Sequence, residues 1–199
     1  MNEINHQLQL ENILNEIKKG SRPSLLLHCC CAPCASYVLE YLSPYFDITA
    51  FFYNPNIHPK EEYDLRLNEL KRLIDKVHPN VRLVIGEYDK EEFLKAASGL
   101  EKEEEGGVRC KNCFNLRLDK TAKTAKQSGY DYFTTTLTIS PHKDVKAIND
   151  IGTMLSEKFK VNFLPADFKK KGGFIRSIKL CREYGIYRQN YCGCAFSKA

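Results

Sequence analysis

Short apolar runs alternate with longer amphipathic stretches along most of the chain. Leu10, Ile13, Leu14 and Ile17 recur at helical spacing and predict a helix over 5–19. Four residues at 24–27 read as a short buried strand, followed by a cysteine-rich loop. A helix opens near Ala32–Pro33, where proline suits a first helical turn. Strands are then predicted over 47–53, 81–86, 130–138 and 161–164, and helices over 60–77, 90–98, 108–127, 144–159 and 174–184. The asparagines and prolines between 54 and 59 forbid regular structure there. The charged stretch 99–107 reads as a solvated loop, and Gly129 ends the helix before the fourth strand.

Five strands interleaved with helices predict an α/β fold, a five-stranded parallel sheet with helices on both faces. In such sheets ligands bind beyond the carboxyl ends of the strands. Four loops of unusual composition fall there: Cys29–Cys34, Asn54–His58, Thr138–His142 and Asp167–Lys171. No glycine-rich phosphate fingerprint follows the first strand, which disfavours a standard dinucleotide or P-loop site.

With 199 residues, 43% hydrophobic and 28% charged, the chain has the size and balance of one globular domain. The expectation is a single α/β domain over 1–199, with a basic, aromatic-rich segment at 167–199 packing at the rim of the site. The charge bears this out: residues 167–199 hold eight Lys/Arg against two acids, while 1–166 hold 22 against 23. A partner carrying phosphates fits that surplus, and so does a solvated basic tail. No apolar run approaches a membrane span. The first twenty residues are polar and amphipathic, unlike a secretory signal, so a reducing cytoplasmic setting is expected.

In that setting nine cysteines point to metal or redox chemistry rather than a disulfide framework. Cys29, Cys30, Cys31 and Cys34 crowd the turn after the first strand. Neighbouring cysteines can share a metal only where the chain bends, and this strand-to-helix turn is such a bend. Cys110 and Cys113 lie one helical turn apart near a helix start, where the macrodipole favours thiolate and Arg109 and Lys111 add charge. Four thiolates from two separated segments suit either zinc or an iron–sulfur cluster. Cys192 and Cys194 flank a single glycine and read as a redox pair or as further metal ligands. Cys181, within a helix, reads as core.

The motifs LHCCCAPC, YNPNIHPKEEY, RCKNCFNLRL, FTTTLTISPHK and the segment DFKKKGG…YCGC, spanning residues 25–194, resemble the cobalamin-independent epoxyqueuosine reductases, the QueH family. The resemblance implies a Rossmann-like, HUP-type sheet. It also implies reduction of epoxyqueuosine to queuosine at the wobble position of tRNA with a GUN-type anticodon. A [4Fe–4S] cluster is implied on Cys30, Cys31, Cys110 and Cys113, with Cys192 and Cys194 as a redox-active disulfide. Cys29 falls at a variable position, and Cys34 is a candidate ligand for a second, mononuclear iron.

Removing the epoxide oxygen takes two electrons and two protons, so a proton donor is needed. Tyr187, Asp167, His142 and His58 are candidates. Arg176, Arg188, His58 and Asn54 are candidate substrate contacts, since guanidinium groups suit phosphates and the tail interleaves them with aromatics that suit bases. The electron donor is not specified by any motif. Two rival readings are an ATP-dependent tRNA sulfur-transfer enzyme and a non-enzymatic, zinc-stabilised RNA-binding module. The first fits poorly, because Pro33 removes an N–H from the loop that would cradle phosphate.

Overall fold

The computed structural model describes residues 4–17 and 20–197. Five strands, β1 (Ser24–His28), β2 (Asp47–Phe52), β3 (Arg82–Ile85), β4 (Tyr132–Thr135) and β5 (Asn162–Phe163), form one sheet in the order β3-β2-β1-β4-β5. Every pairing is parallel, as the alternation of strands and helices predicts. The helices are α1 (His6–Glu16), α2 (Ala32–Leu42), α3 (Lys60–Val77), α4 (Lys90–Ala97), α5 (Val108–Gln127), α6 (Val145–Phe159) and α7 (Gly173–Tyr184).

Strand β1 is central, and its side chains alternate between two cores with the period of a strand. Leu25, Leu27 and Cys29 face the layer that contains residues of α1, α2 and α3, while Leu26 faces the layer of α5 and α6. All four are fully buried. Truncating one of these leucines to alanine costs about 2–5 kcal/mol on general grounds. On the second face, Gly152 lets α6 lie close to β5, since a Cβ there would sit 2.3 Å from the Phe163 ring.

The chain runs from β1 outward to β2 and β3, then returns to the other side of β1 for β4 and β5. The crevice beyond the ends of β1 and β4 is therefore the topological switch point, the usual ligand site of an open α/β sheet. Two predicted elements differ there. Strand β4 stops at Thr135, and the next four residues, Thr136–Ile139, form a 3-10 turn. The Thr135 hydroxyl accepts from the Leu137 N–H at 3.1 Å, which caps that turn and ends the extended run. At the N-terminus α1 ends at Glu16, with Ile17 extended, and positions 18–19 of the predicted helix lie outside the described residues.

His28 ends β1 directly beneath the crevice and is fully buried. Its Nε2 lies 3.1 Å from the Tyr53 carbonyl, to which it donates, so its Nδ1 accepts from the Thr135 hydroxyl at 2.8 Å. Burial, reinforced by the charge of Arg117, pushes its pKa down to about 4 from an ordinary 6.5. The neutral ring is thus favoured in the folded chain, whereas the unfolded chain takes up a proton below about pH 6.5. We expect stability to fall between about pH 6.5 and pH 4 by about 3 kcal/mol more in the parent than in His28→Asn. Denaturant melts of the reduced, metal-free proteins check this; parallel pH profiles for the two would contradict it.

Candidate metal and redox site

The turn after β1 places three cysteine sulfurs together. Cys31 is the N-cap of α2, extended at φ −171°, with Pro33 in the first turn. Cys34 follows one turn into the helix, so its thiol returns toward Cys31. The Cys30 and Cys31 sulfurs are 3.6 Å apart, and all three sulfurs lie within 4.8 Å of one another. This three-cysteine cluster has the donors and spacing to hold a metal ion. Cys29 points the other way into the core, where its thiol faces the Leu27 carbonyl at 3.4 Å and burial pushes its pKa well up.

The nest stabilises one negative charge. Hydrogen bonds from Cys31 and Cys34, and one from Thr136, hold Cys30 well below the ordinary thiol range. Cys31 and Cys34 are pushed up as its partners, because a second thiolate would sit against the first. The start of α2 adds its positive dipole end.

The second segment meets the first at the same crevice. Cys110 packs against the apolar cluster that holds Cys30 and Cys31, and accepts from the Gly106 N–H at 3.2 Å. Cys113, one turn on, is buried in a small cluster with Phe93 and Cys194, with Cys192 and Phe196 packed against it. Burial pushes its pKa up to about 11 despite the neighbouring charge of Arg117. Cys110 and Cys113 thus bridge the nest and the tail pair. Arg109 does not flank them as expected: it turns away to donate to the carbonyls of Leu100 and Glu101.

A cavity of about 760 Å³ opens above the nest. Its wall takes Cys30, Cys31 and Cys34 from the first loop, Asn54 and Asn56 from the second, and 139–143 from the third and just beyond it. The expected fourth contributor, Asp167–Lys171, is not on the wall. Phe168 is instead buried against the Tyr41 ring, and Asp167 pairs with Lys169 at 2.9 Å. The tail segment Arg188–Cys192, with Phe174 and Ser177 of α7, closes that side. Glu105, from the loop predicted to be merely solvated, also reaches the wall.

Of the predicted site residues, Cys30, Cys31, Cys34, Cys192, Asn54, His142 and Arg188 line the cavity. Cys110, Cys113 and Cys194 lie behind it in contact with its lining, as above. His58, Tyr187 and Arg176 stand outside the wall: His58 is exposed, the Tyr187 N–H donates to Glu69, and Arg176 pairs with Glu40 at 2.6 Å. Arg188 lies over the Phe174 ring at 5.3 Å. Cys181 is buried in the core, as expected.

Helix α3 grips the tail at two points, through Arg66 and Arg72. Arg72 donates to the carbonyls of Tyr184 and Gly185, and Arg66 to those of Tyr191 and Cys192, the last at 2.8 Å. The Arg66 guanidinium is buried, paired with Glu62 at 2.7 Å, and lies over the Tyr191 ring. Gly193 fits only as glycine: its φ is +92°, and a Cβ would sit 2.7 Å from the Arg66 guanidinium. The His58 N–H completes the clamp on the Gly193 carbonyl at 2.8 Å.

Sequence reasoning missed three basic residues. Arg66 and Arg117 are buried on helix faces that are otherwise apolar, beside Tyr63 and Leu70 and beside Phe114 and Leu118. Arginine at a core-facing register was the available signal. Lys143 follows the noted His142 directly and also lines the cavity. Arg117 is 2% exposed and its Nη2 has no hydrogen-bond partner. The groups whose negative charge would act on it most are Cys113, Cys192 and Cys30. A buried guanidinium whose Nε reaches only the Cys113 carbonyl, and which has no carboxylate partner, calls for negative charge, which metal-bound thiolates supply; the donor set therefore fits a thiolate-ligated metal centre.

Removing the Arg66 grip should release the tail. In Arg66→Met we expect amide exchange at 191–194 to rise about thirtyfold, the equivalent of about 2 kcal/mol for lost charged hydrogen bonds. Exchange mass spectrometry reads this directly, and unchanged protection would show that Arg66 does not hold the segment.

The family model described as epoxyqueuosine reductase QueH matches residues 25–199. A Streptococcus pyogenes serotype M1 protein named epoxyqueuosine reductase QueH is 43% identical, covering 97% of this chain and 79% of its own length. Proteins of the same name from Staphylococcus epidermidis (44% identical; 98% and 84%) and Thermotoga maritima (39% identical; 87% and 90%) are also similar. The chain belongs to the QueH family.

Proposed function

We propose that this protein is an iron–sulfur epoxyqueuosine reductase, which removes the epoxide oxygen of epoxyqueuosine at the tRNA wobble position to give queuosine. The observation that carries the reading is that the thiol nest and the tail cysteine Cys192 face one cavity at the sheet's switch point. At about 760 Å³ it lies in the range of small-molecule sites and has room for one unstacked nucleoside. Asn54, Asn56 and Gln189 line it with side-chain oxygens that have no hydrogen-bond partner. These acceptors suit the N–H and O–H donors of a modified base. Arg188 at the mouth, with Arg176 and His58 further out, suits the flanking phosphates of a GUN-type anticodon loop.

Cys30, Cys31, Cys110 and Cys113 would hold the [4Fe–4S] cluster, and Cys34, within the compact nest, a second iron. When bound, such a cluster supplies electrons one at a time. The tail supplies a pair: with the thiols of Cys192 and Cys194, epoxide plus dithiol gives alkene, water and disulfide, with all atoms balanced. Of the four candidate proton donors, His142 stands on the wall, while Asp167, Tyr187 and His58 would need the bound RNA or a water to reach the oxygen. A separate reductant then restores the dithiol. No helix among the described residues is long and apolar enough to cross a membrane, which is compatible with a cytoplasmic tRNA enzyme.

Protein purified without oxygen should carry about four irons per chain, with matching sulfide, and more if Cys34 holds a second site. Cys110→Ala should lose the cluster iron, whereas Cys194→Ala should keep it and lose multiple turnover. Zinc without sulfide would instead support the binding-module reading. Accumulation of epoxyqueuosine in tRNA from cells lacking the gene, read by nucleoside mass spectrometry, tests the substrate; normal queuosine there would contradict it.

A further inference from the structure

Lys143 follows the 3-10 turn beyond β4 and lines the cavity together with the tail segment. Its ammonium makes no ion pair or side-chain hydrogen bond among the described residues. The groups whose charges act on it most are Cys192, Cys30 and Cys34, with Arg117 beside them. It shares the cavity wall with Cys30 and Cys34 of the nest and with Cys192 of the tail, where a base brought into the crevice would present its reacting ring. The one carboxylate on the wall is Glu105. Two cations without carboxylate partners, Lys143 and Arg117, thus share a desolvated site in which the ground-state epoxide is neutral.

We propose that Lys143 is a catalytic residue that receives the departing epoxide oxygen, holding the negative charge that develops on it as the carbon–oxygen bonds break, with the buried Arg117 guanidinium, which has no carboxylate partner, reinforcing the field behind it. This rests on the reading of the site as an epoxide reductase. The chemistry requires such a group: two electrons enter the epoxide from the Cys192/Cys194 dithiol, which becomes a disulfide. Both carbon–oxygen bonds break, the carbon–carbon bond becomes double, and the oxygen leaves as water with the two thiol protons. Before it is fully protonated, that oxygen carries negative charge. The side-chain amides nearby are neutral, and a full positive charge answers that developing charge more strongly. A fixed ammonium at the developing charge contributes where it is needed, in the transition state rather than in binding.

The test compares the parent, Lys143→Met and Lys143→Arg on an anticodon stem-loop RNA carrying epoxyqueuosine, under single turnover by pre-reduced protein. Lys143→Met should keep its iron content and bind the stem-loop within about threefold of the parent, while its turnover rate falls about 10²–10³-fold. Lys143→Arg, which keeps the charge, should stay within about tenfold of the parent. A methionine variant that turns over at the parental rate overturns the inference. So does one whose rate falls only in step with lost RNA binding, or one that loses its iron, since Lys143 would then anchor substrate or balance the metal centre. A parent that leaves the stem-loop unchanged removes the functional reading, and this inference with it.

Discussion

Charge balance in a dry crevice governs this molecule's architecture at the switch point. Three thiols within 4.8 Å of one another can ionise only once without help, as the depressed Cys30 and raised Cys31 and Cys34 show. Around them stand Arg66, Arg117 and Lys143, of which only Arg66 has a carboxylate partner. A buried guanidinium without a counter-charge costs several kcal/mol. Thiols that stay protonated leave that cost standing, whereas thiolates bound to metal remove it. Metal loading and the folded arrangement of the cations are therefore linked: each makes the other less costly.

The parallel sheet makes that arrangement possible. Residues from 28–34, 54–56, 109–117, 139–143 and 188–192 are far apart in sequence, yet the strand order brings their elements to one end of β1. Because β1 is central and buried on both faces, its terminus is fixed by neighbours on either side. His28 pairs in register with Phe51 of β2 and Thr135 of β4. The bend that follows starts from a rigid point, which keeps adjacent cysteines on a common site although a strand would send them to opposite faces.

Much of this was legible in the chain. The helices predicted over 60–77 and 108–127 match α3 and α5 at both ends, because strong amphipathic periodicity meets clear stops there. The cysteine loop, the asparagine loop and the tail were marked by residue types that regular elements rarely need. Less legible were features that depend on tertiary contact. Thr135 looks like one more β-branched strand residue, yet its hydroxyl caps a turn and ends β4. The loop at 167–171 looks like a binding loop by composition, but Phe168 commits it to the core. Arg66 and Arg117 resemble ordinary helix-surface cations until their register against the apolar face is counted.

The tail is the element whose placement has the furthest consequences. Gly193, at φ +92°, turns the chain between Cys192 and Cys194, and Cys194 forms an antiparallel bridge with Ile57. That puts Cys192 on the cavity wall and Cys194 in the apolar cluster with Cys113. The two sulfurs therefore meet different environments: Cys192 reaches the cavity, whereas Cys194 is buried within the cluster that holds Cys113. Burial raises the Cys194 thiol above its ordinary range, so it holds its proton longer. In the proposed reduction the accessible sulfur would face the reacting base, and the buried sulfur would close the disulfide. The α3 clamp gives the asymmetry its stability: Arg66 grips the carbonyl of Cys192 itself, so its side chain cannot exchange places with that of Cys194 without breaking a buried charged hydrogen bond.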